Sequence, residues 1–325
     1  MKKRHFTRLS AFALAAALSV ITASTPFSDA FPITASVTVS AADETAEGGT
    51  GSENLTEGSV EINETNFPDA NFRSWILEQN YGTDNVLTAD EIAAVTKIIV
   101  SNKSISDLKG IEYFTNITYL NCCNNNLTLL DVSQNTKIVS LYCDSNQLKS
   151  LDVSKNTEIE TLCCQQNQLT SLDVSKNTKL KNFYCYENQL TSLDVSKNTK
   201  LSFLYCGSNN ITSLNLTNNP QISNISIADN PILSLDCGGA EPTLFADSLY
   251  MFMVEDGNEL VLADKHINPD KIQSESIKGG TLESGIITPD EGSSTVTYDY
   301  VYNDAGKTIT CSIGFGIAVN GNKLP

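Results

Sequence analysis

Proton-transfer chemistry has little to work with in this chain. Of its 325 residues only His5 and His266 carry an imidazole, the group that Ser-His-Asp and Cys-His sites use to move a proton. His5 lies in a basic N-terminal stretch that reads as removable. His266 stands alone in the run Leu262-Ala263-Asp264-Lys265-His266-Ile267-Asn268-Pro269-Asp270, which reads as a turn between strands. No motif brings a nucleophile or a second acid to it. The sequence therefore predicts no catalytic residue, no enzyme activity and no cofactor.

Metal chemistry has one sharper opening. Residues 80–91 (NYGTDNVLTADE) align with a twelve-residue calcium loop, with Asp84, Leu87 and Glu91 at matching positions. Asn80 is a weak first ligand, Gly82 supplies none, and Asn85 stands where the loop wants glycine. The simpler reading makes Glu91 the capping partner of Thr88 at a helix start, and no metal site is expected. Among nine cysteines, Cys122, Cys143, Cys164, Cys185 and Cys206 fall in one register, with Cys123 and Cys163 on the opposite side. Neighbours at strand spacing, about 4.8 Å, are too far apart for a relaxed disulfide. The inward column reads as buried thiols behaving as small hydrophobes.

The remaining chemistry-bearing residues are aromatic, carboxamide and acidic: Tyr119, Asn121, Tyr142, Asp144, Asn182, Tyr184, Tyr186, Phe203 and Tyr205. What positions them is an internal repeat. The unit LDVSKNTKLxxLxCxxNQLTS recurs every 21 residues, its first leucine at Leu130, Leu151, Leu172, Leu193 and Leu214. Leu120, Leu141, Leu162, Phe183, Leu204 and Ile225 form one column, and Asn125, Asn146, Asn167, Asn188, Asn209 and Asn230 another. This is the leucine-rich-repeat template, in which each coil hides its apolar face only by stacking on the next. Parallel strands are expected at seven centres, Ile99, Asn121, Tyr142, Cys163, Tyr184, Tyr205 and Ser226, with extended or 3₁₀ structure on the convex side. In LxC the two flanking side chains point inward, so the residue between them and the one before face the concave solvent side. The nine residues above occupy those positions or the next exposed one. They could stack on a sugar or anchor a peptide; equally, Tyr and Phe suit strands whatever they bind.

The fold class expected is mainly β: a leucine-rich-repeat solenoid over 96–239, a small helical N-terminal cap over 61–95, and a C-terminal Ig-like β-sandwich over 240–325. In the cap, Pro68 would open a helix presenting Phe72, Trp75, Ile76 and Gln79, and Thr88-Ala89-Asp90-Glu91 would open a second. Alternating runs at 249–254, 259–263, 295–302 and 308–319 would supply antiparallel strands of the tail. Residues 1–41 read as a signal peptide region, with Lys2-Lys3-Arg4 and Arg8 before an apolar stretch at 9–23. The acidic, Gly/Ser/Thr-rich residues 42–60 read as a disordered linker. A net charge of −17 repels phosphate backbones, so nucleic-acid binding is not expected.

INETNFPDANFRSWI followed by ISDLKGIEYFTNITYLNC is similar to the cap and first repeat of bacterial leucine-rich-repeat surface proteins. Residues 61–235 as a whole are similar to those proteins, and the helical cap, repeats and Ig-like tail together resemble the arrangement of the internalins, whose repeats are usually slightly longer. The resemblance implies an exported recognition or adhesion module, secreted or associated with the cell surface. It would bind a protein or glycan ligand and, once the signal is removed, would not insert into a membrane. It does not identify the ligand. A structural spacer, or an accessory binding module of a carbohydrate-degrading system, is the alternative function.

Overall fold

The computed structural model describes residues 57–245, 252–254, 259–265 and 267–315. The expected signal region, most of the expected linker, and His5 and His266 lie outside the described residues. The linker expected over 42–60 gives way to structure by its last residue, because strand β1 (Val60–Glu61) pairs antiparallel with β2 (Val86–Leu87).

The cap holds two helices. Helix α1 (Ala70–Leu77) is capped by Asp69, whose Oδ1 accepts from the backbone N–H of Asn71 and Phe72. Pro68 therefore precedes the cap rather than opening the helix. Phe72 and Ile76 are buried, Trp75 is half-buried, and Gln79 lies beyond the C-cap Glu78. Helix α2 (Ala89–Ala94) opens on the capping box between Thr88 and Glu91. The other oxygen of Asp69 accepts from Ser106 N (2.7 Å), Ser106 Oγ (2.8 Å) and Asp107 N (3.3 Å), which ties the cap to the first coil.

The solenoid follows from the columns. Strands β3 (Lys97–Ile99), β4 (Tyr119–Asn121), β5 (Ser140–Tyr142), β6 (Thr161–Cys163), β7 (Asn182–Tyr184) and β8 (Phe203–Tyr205) pair in parallel, one per coil and in register. On the opposite side of the last coils, β9 (Ser213–Asn215) and β11 (Ser234–Asp236) make a separate parallel pair. Strand β10 (Asn224–Ser226) continues the main sheet, and β12 (Thr243–Phe245) adds an eighth strand beyond the solenoid end expected at 239. The leucine and cysteine columns are fully buried. On the convex side each repeat makes two successive turns, Asn156 N to Val153 O and Ile159 N to Asn156 O in one coil. The described 3₁₀ segment of the repeat region is Ile111–Tyr113, before the regular coils begin.

Two asparagine ladders hold the coils, and they differ. Asn146 Nδ2 donates to three carbonyls, of Cys122, Cys143 and Asp144, while its Oδ1 accepts from Leu127 N at 3.0 Å. The outer Asn156 donates to Val132 O and Asn135 O, but its Oδ1 meets no donor. Just before the inner asparagine, every coil places a non-glycine residue in the left-handed region: Asn124, Ser145, Gln166, Glu187, Ser208 and Asp229, at φ between 51° and 57°. That conformation costs roughly 1–2 kcal/mol per residue, and the backbone bonds of the adjacent asparagine offset it.

The tail differs from the all-antiparallel sandwich that alternation suggests. Strands β14 (Leu260–Val261), β16 (Ile286–Pro289) and β15 (Gly280–Glu283) form one antiparallel sheet. In the other, β17 (Thr295–Val301) pairs antiparallel with β18 (Thr308–Phe315), but β13 (Phe252–Val254) joins β18 in parallel. The β15–β16 hairpin, absent from the sequence reading, turns through Ser284 and Gly285, both at positive φ. Alternate residues of β17 are buried, and the Tyr298 hydroxyl donates to Leu233 O at 2.8 Å. With the Lys271–Asp236 ion pair, this fixes the tail to the last coil.

Candidate functional site

Because β4 to β10 are in register, one face of the sheet is a set of rows. The first row runs Tyr119, Ser140, Thr161, Asn182, Phe203 and Asn224, and the middle row Asn121, Tyr142, Cys163, Tyr184, Tyr205 and Ser226. Two residues further along each chain, on the same face, come Cys123, Asp144, Gln165, Tyr186, Gly207 and Ala228. All nine residues expected here, Tyr119, Asn121, Tyr142, Asp144, Asn182, Tyr184, Tyr186, Phe203 and Tyr205, lie on these rows and are half-buried.

The rings are organised in two pairs. Tyr119 and Tyr142 have centroids 5.3 Å apart, and Tyr184 and Tyr205 5.2 Å apart. Lys97 Nζ lies 4.6 Å from the Tyr119 centroid, a cation on the end of the row. Between the pairs stands Cys163, only 6% exposed although it belongs to the outer face. Burial pushes the hydroxyls of Tyr142 and Tyr184 up to about 12.

Asp144 is the one ionisable carboxylate on these rows, and the rows contain no Lys or Arg from β4 to β10. Its Oδ2 accepts from Ser145 Oγ at 3.4 Å. The Cys123 thiol faces it while donating to Asn121 Oδ1 at 2.6 Å. Burial pushes the Asp144 carboxyl above the usual aspartate range. The sequence reading sets Cys123 and Cys163 opposite the inward column but does not count them, or Gln165, among the candidate binding residues; their register, shared with the tyrosines, is the signal that includes them.

The calcium-like loop is closed by its own bonds. Glu91 Oε2 accepts from Thr88 N and Thr88 Oγ1, both at 2.8 Å, and Asp84 Oδ1 accepts from Val86 N. A side chain on Gly82 would strike the Ile76 carbonyl, so packing dictates glycine there. Among the described residues no group of three or more His, Cys, Asp or Glu is placed to hold a metal, all nine cysteines are free, and no helix is long and apolar enough to cross a membrane.

No family model matches the chain. Internalin J of Listeria monocytogenes is 42% identical over 72 residues, which is 22% of this chain and 8% of that protein. The chain thus corresponds to a small part of that relative's length. Among solved structures it is similar to internalin C2 of the same species, with a TM-score of 0.50 and 21% identity, covering 57% of this chain and 90% of that one. Internalin F of that species gives a TM-score of 0.47 at 25% identity, covering 53% of each. The chain is an internalin-like leucine-rich-repeat solenoid.

Proposed function

We infer that the protein is a noncatalytic recognition module acting outside the cytoplasm, and that it binds a protein ligand on the solvent face of the solenoid sheet. The observation that carries this is the contrast between the two sides of the same coils. The convex side repeats LDVSKNT almost unchanged. The sheet face changes from coil to coil and gathers five tyrosines and a phenylalanine, all half-buried, with four of the tyrosines in two tilted pairs. A spacer needs no such variation, whereas a binding surface does, and aromatic side chains supply contact area with little entropy to lose.

The test uses the full chain on protein and glycan arrays, followed by a Tyr142→Ala, Tyr184→Ala, Tyr205→Ala variant whose melting curve shows that it folds. The expected result is a protein ligand whose binding the triple variant loses. A ligand held equally well by that variant moves the site elsewhere, and one found only among glycans replaces the protein partner.

A further inference from the structure

The cap carries a cavity of about 150 Å³, separate from the sheet face and lined by Asn71, Ser74, Trp75, Glu78 and Lys103. Its helical wall follows from spacing: the first four stand at i, i+3, i+4 and i+7 of helix α1 and its C-cap, on one side of the helix. The facing wall comes from the first coil. Ile98 pairs with Leu120, which sets Lys103 where the later coils bury their inner asparagine. Those asparagines reach back to the coil before, as Asn125 does to Lys103 N, Ile105 N and Val100 O. No coil precedes the first, so position 103 is free to carry a lysine, and its side chain is exposed. Asn71 Nδ2 donates to Ser104 O at 3.1 Å, which fixes the helix against this turn. We propose that the pocket binds a single pyranose ring of a glycan, stacked on Trp75 and hydrogen-bonded by Asn71, Ser74, Glu78 and Lys103. It is a second site, and it does not depend on the sheet-face reading.

Three observations support it. First, the polar groups are uncommitted. The Ser74 hydroxyl, the Glu78 carboxylate and the Lys103 ammonium make no hydrogen bond or ion pair among the described residues, although the last two line the same cavity. Second, the lining offers both acceptors, Glu78 and Asn71 Oδ1, and donors, Lys103 and Ser74. A ring hydroxyl donates and accepts at once, so neighbouring hydroxyls satisfy both kinds. An anion would meet Glu78, a cation would meet Lys103, and an apolar side chain would leave the polar groups unpaired. Third, Trp75 is half-buried on the same side of the helix as the exposed Asn71, Ser74 and Glu78, its ring stacked on the buried Phe72 at 6.2 Å. Such a ring sets a flat apolar surface beside polar groups, and a cavity of this volume holds one six-membered ring.

Trp75 is the one tryptophan of the sequence, so the tryptophan fluorescence of the full chain reports this pocket. The probes are the methyl glycosides of glucose, galactose and mannose and free N-acetylglucosamine, with glycine and inorganic phosphate as controls. At least one sugar should shift the emission saturably with a Kd of about 1 mM, the scale for so few atoms, and neither control should. Glu78→Ala and Lys103→Ala, both at exposed side chains, should each weaken that sugar about tenfold, the scale of one charged hydrogen bond. Lys149→Ala, an exposed lysine outside the lining, should weaken it less than about twofold. No saturable shift with any of these sugars, unchanged affinity in Glu78→Ala and Lys103→Ala, or a stronger response to glycine than to every sugar would overturn the pocket. The Tyr142→Ala, Tyr184→Ala, Tyr205→Ala variant should bind the sugar as the parent does. A loss there would move the sugar to the sheet face and remove the cap site, whereas sugar binding kept by that variant while a protein ligand is also kept would remove the sheet-face reading and leave the cap site standing.

Discussion

Asn167 reaches across a coil boundary to Leu148: its Oδ1 accepts from the Leu148 N–H at 2.9 Å. Its Nδ2 meanwhile donates to the carbonyls of Cys143, Cys164 and Gln165. One buried side chain thus satisfies four backbone groups on two coils. Asn167→Ala should therefore lower stability by roughly 1–3 kcal/mol, the cost of unsatisfied buried groups. Asn177→Ala should cost less, because that residue serves only Val153 O and Asn156 O and its own oxygen is unpaired. Denaturant melts of the two variants check the order; an unchanged Asn167→Ala curve would remove the inner ladder from the account of stability.

The left-handed residue before each inner asparagine gives a stabilising substitution. Gln166 has φ 55° and is exposed; its side chain bonds only Ser145 and Glu187 at the surface. Gln166→Gly relieves the steric cost of that conformation but adds freedom to the unfolded chain, so the net gain should be about 0–1 kcal/mol. A loss greater than that would mean the surface ladder of Ser145, Gln166 and Glu187 matters more than backbone strain.

Calcium should leave the melting temperature unchanged, because Glu91 is already engaged by Thr88. Thr88→Ala removes the cap and should cost about 1 kcal/mol with or without the ion. A calcium-dependent rise in melting temperature, lost in Asp84→Ala, would show that the loop opens to bind it.

Much of the solenoid is legible because each column repeats the same physical demand. A leucine or cysteine every 21 residues has to be buried, and an asparagine has to meet backbone groups in each coil. The sequence signal fails where the demand is made once. Strand β12 pairs with β10 after a shortened coil that carries no copy of the motif. Asp69 caps α1 because its second oxygen is held by Ser106, 37 residues away, a partner no local pattern reveals. The parallel pairing of β13 with β18 is likewise a tertiary choice, since alternation fixes which face is buried and not strand direction. On the sheet face the residue types were legible, but the grouping into two tyrosine pairs around Cys163 required the register.

Asp69 and Asp144 should answer pH in opposite ways. For Asp69, burial alone would raise the carboxyl, but the bonds from Ser106, Phe72 and Asp107 outweigh it and hold it below the usual range. A depressed folded value means stability present above the ordinary aspartate range and lost as pH falls through the folded value. Asp69→Asn should therefore destabilise at neutral pH. For Asp144, burial dominates and the folded value is raised. The groups facing it, Cys123, Cys163, Tyr142, Tyr186 and Ser145, include no cation. A raised value means a contribution fully present below the unfolded value and lost as pH rises through the folded one. Asp144 thus contributes less stability at neutral pH than in acid. Asp144→Asn should raise the melting temperature at pH 7, and its advantage should vanish near pH 3, about where an ordinary aspartate is protonated. Melts of parent and variant at the two pH values decide it. An Asp144→Asn protein less stable at pH 7 would make the carboxylate a structural group.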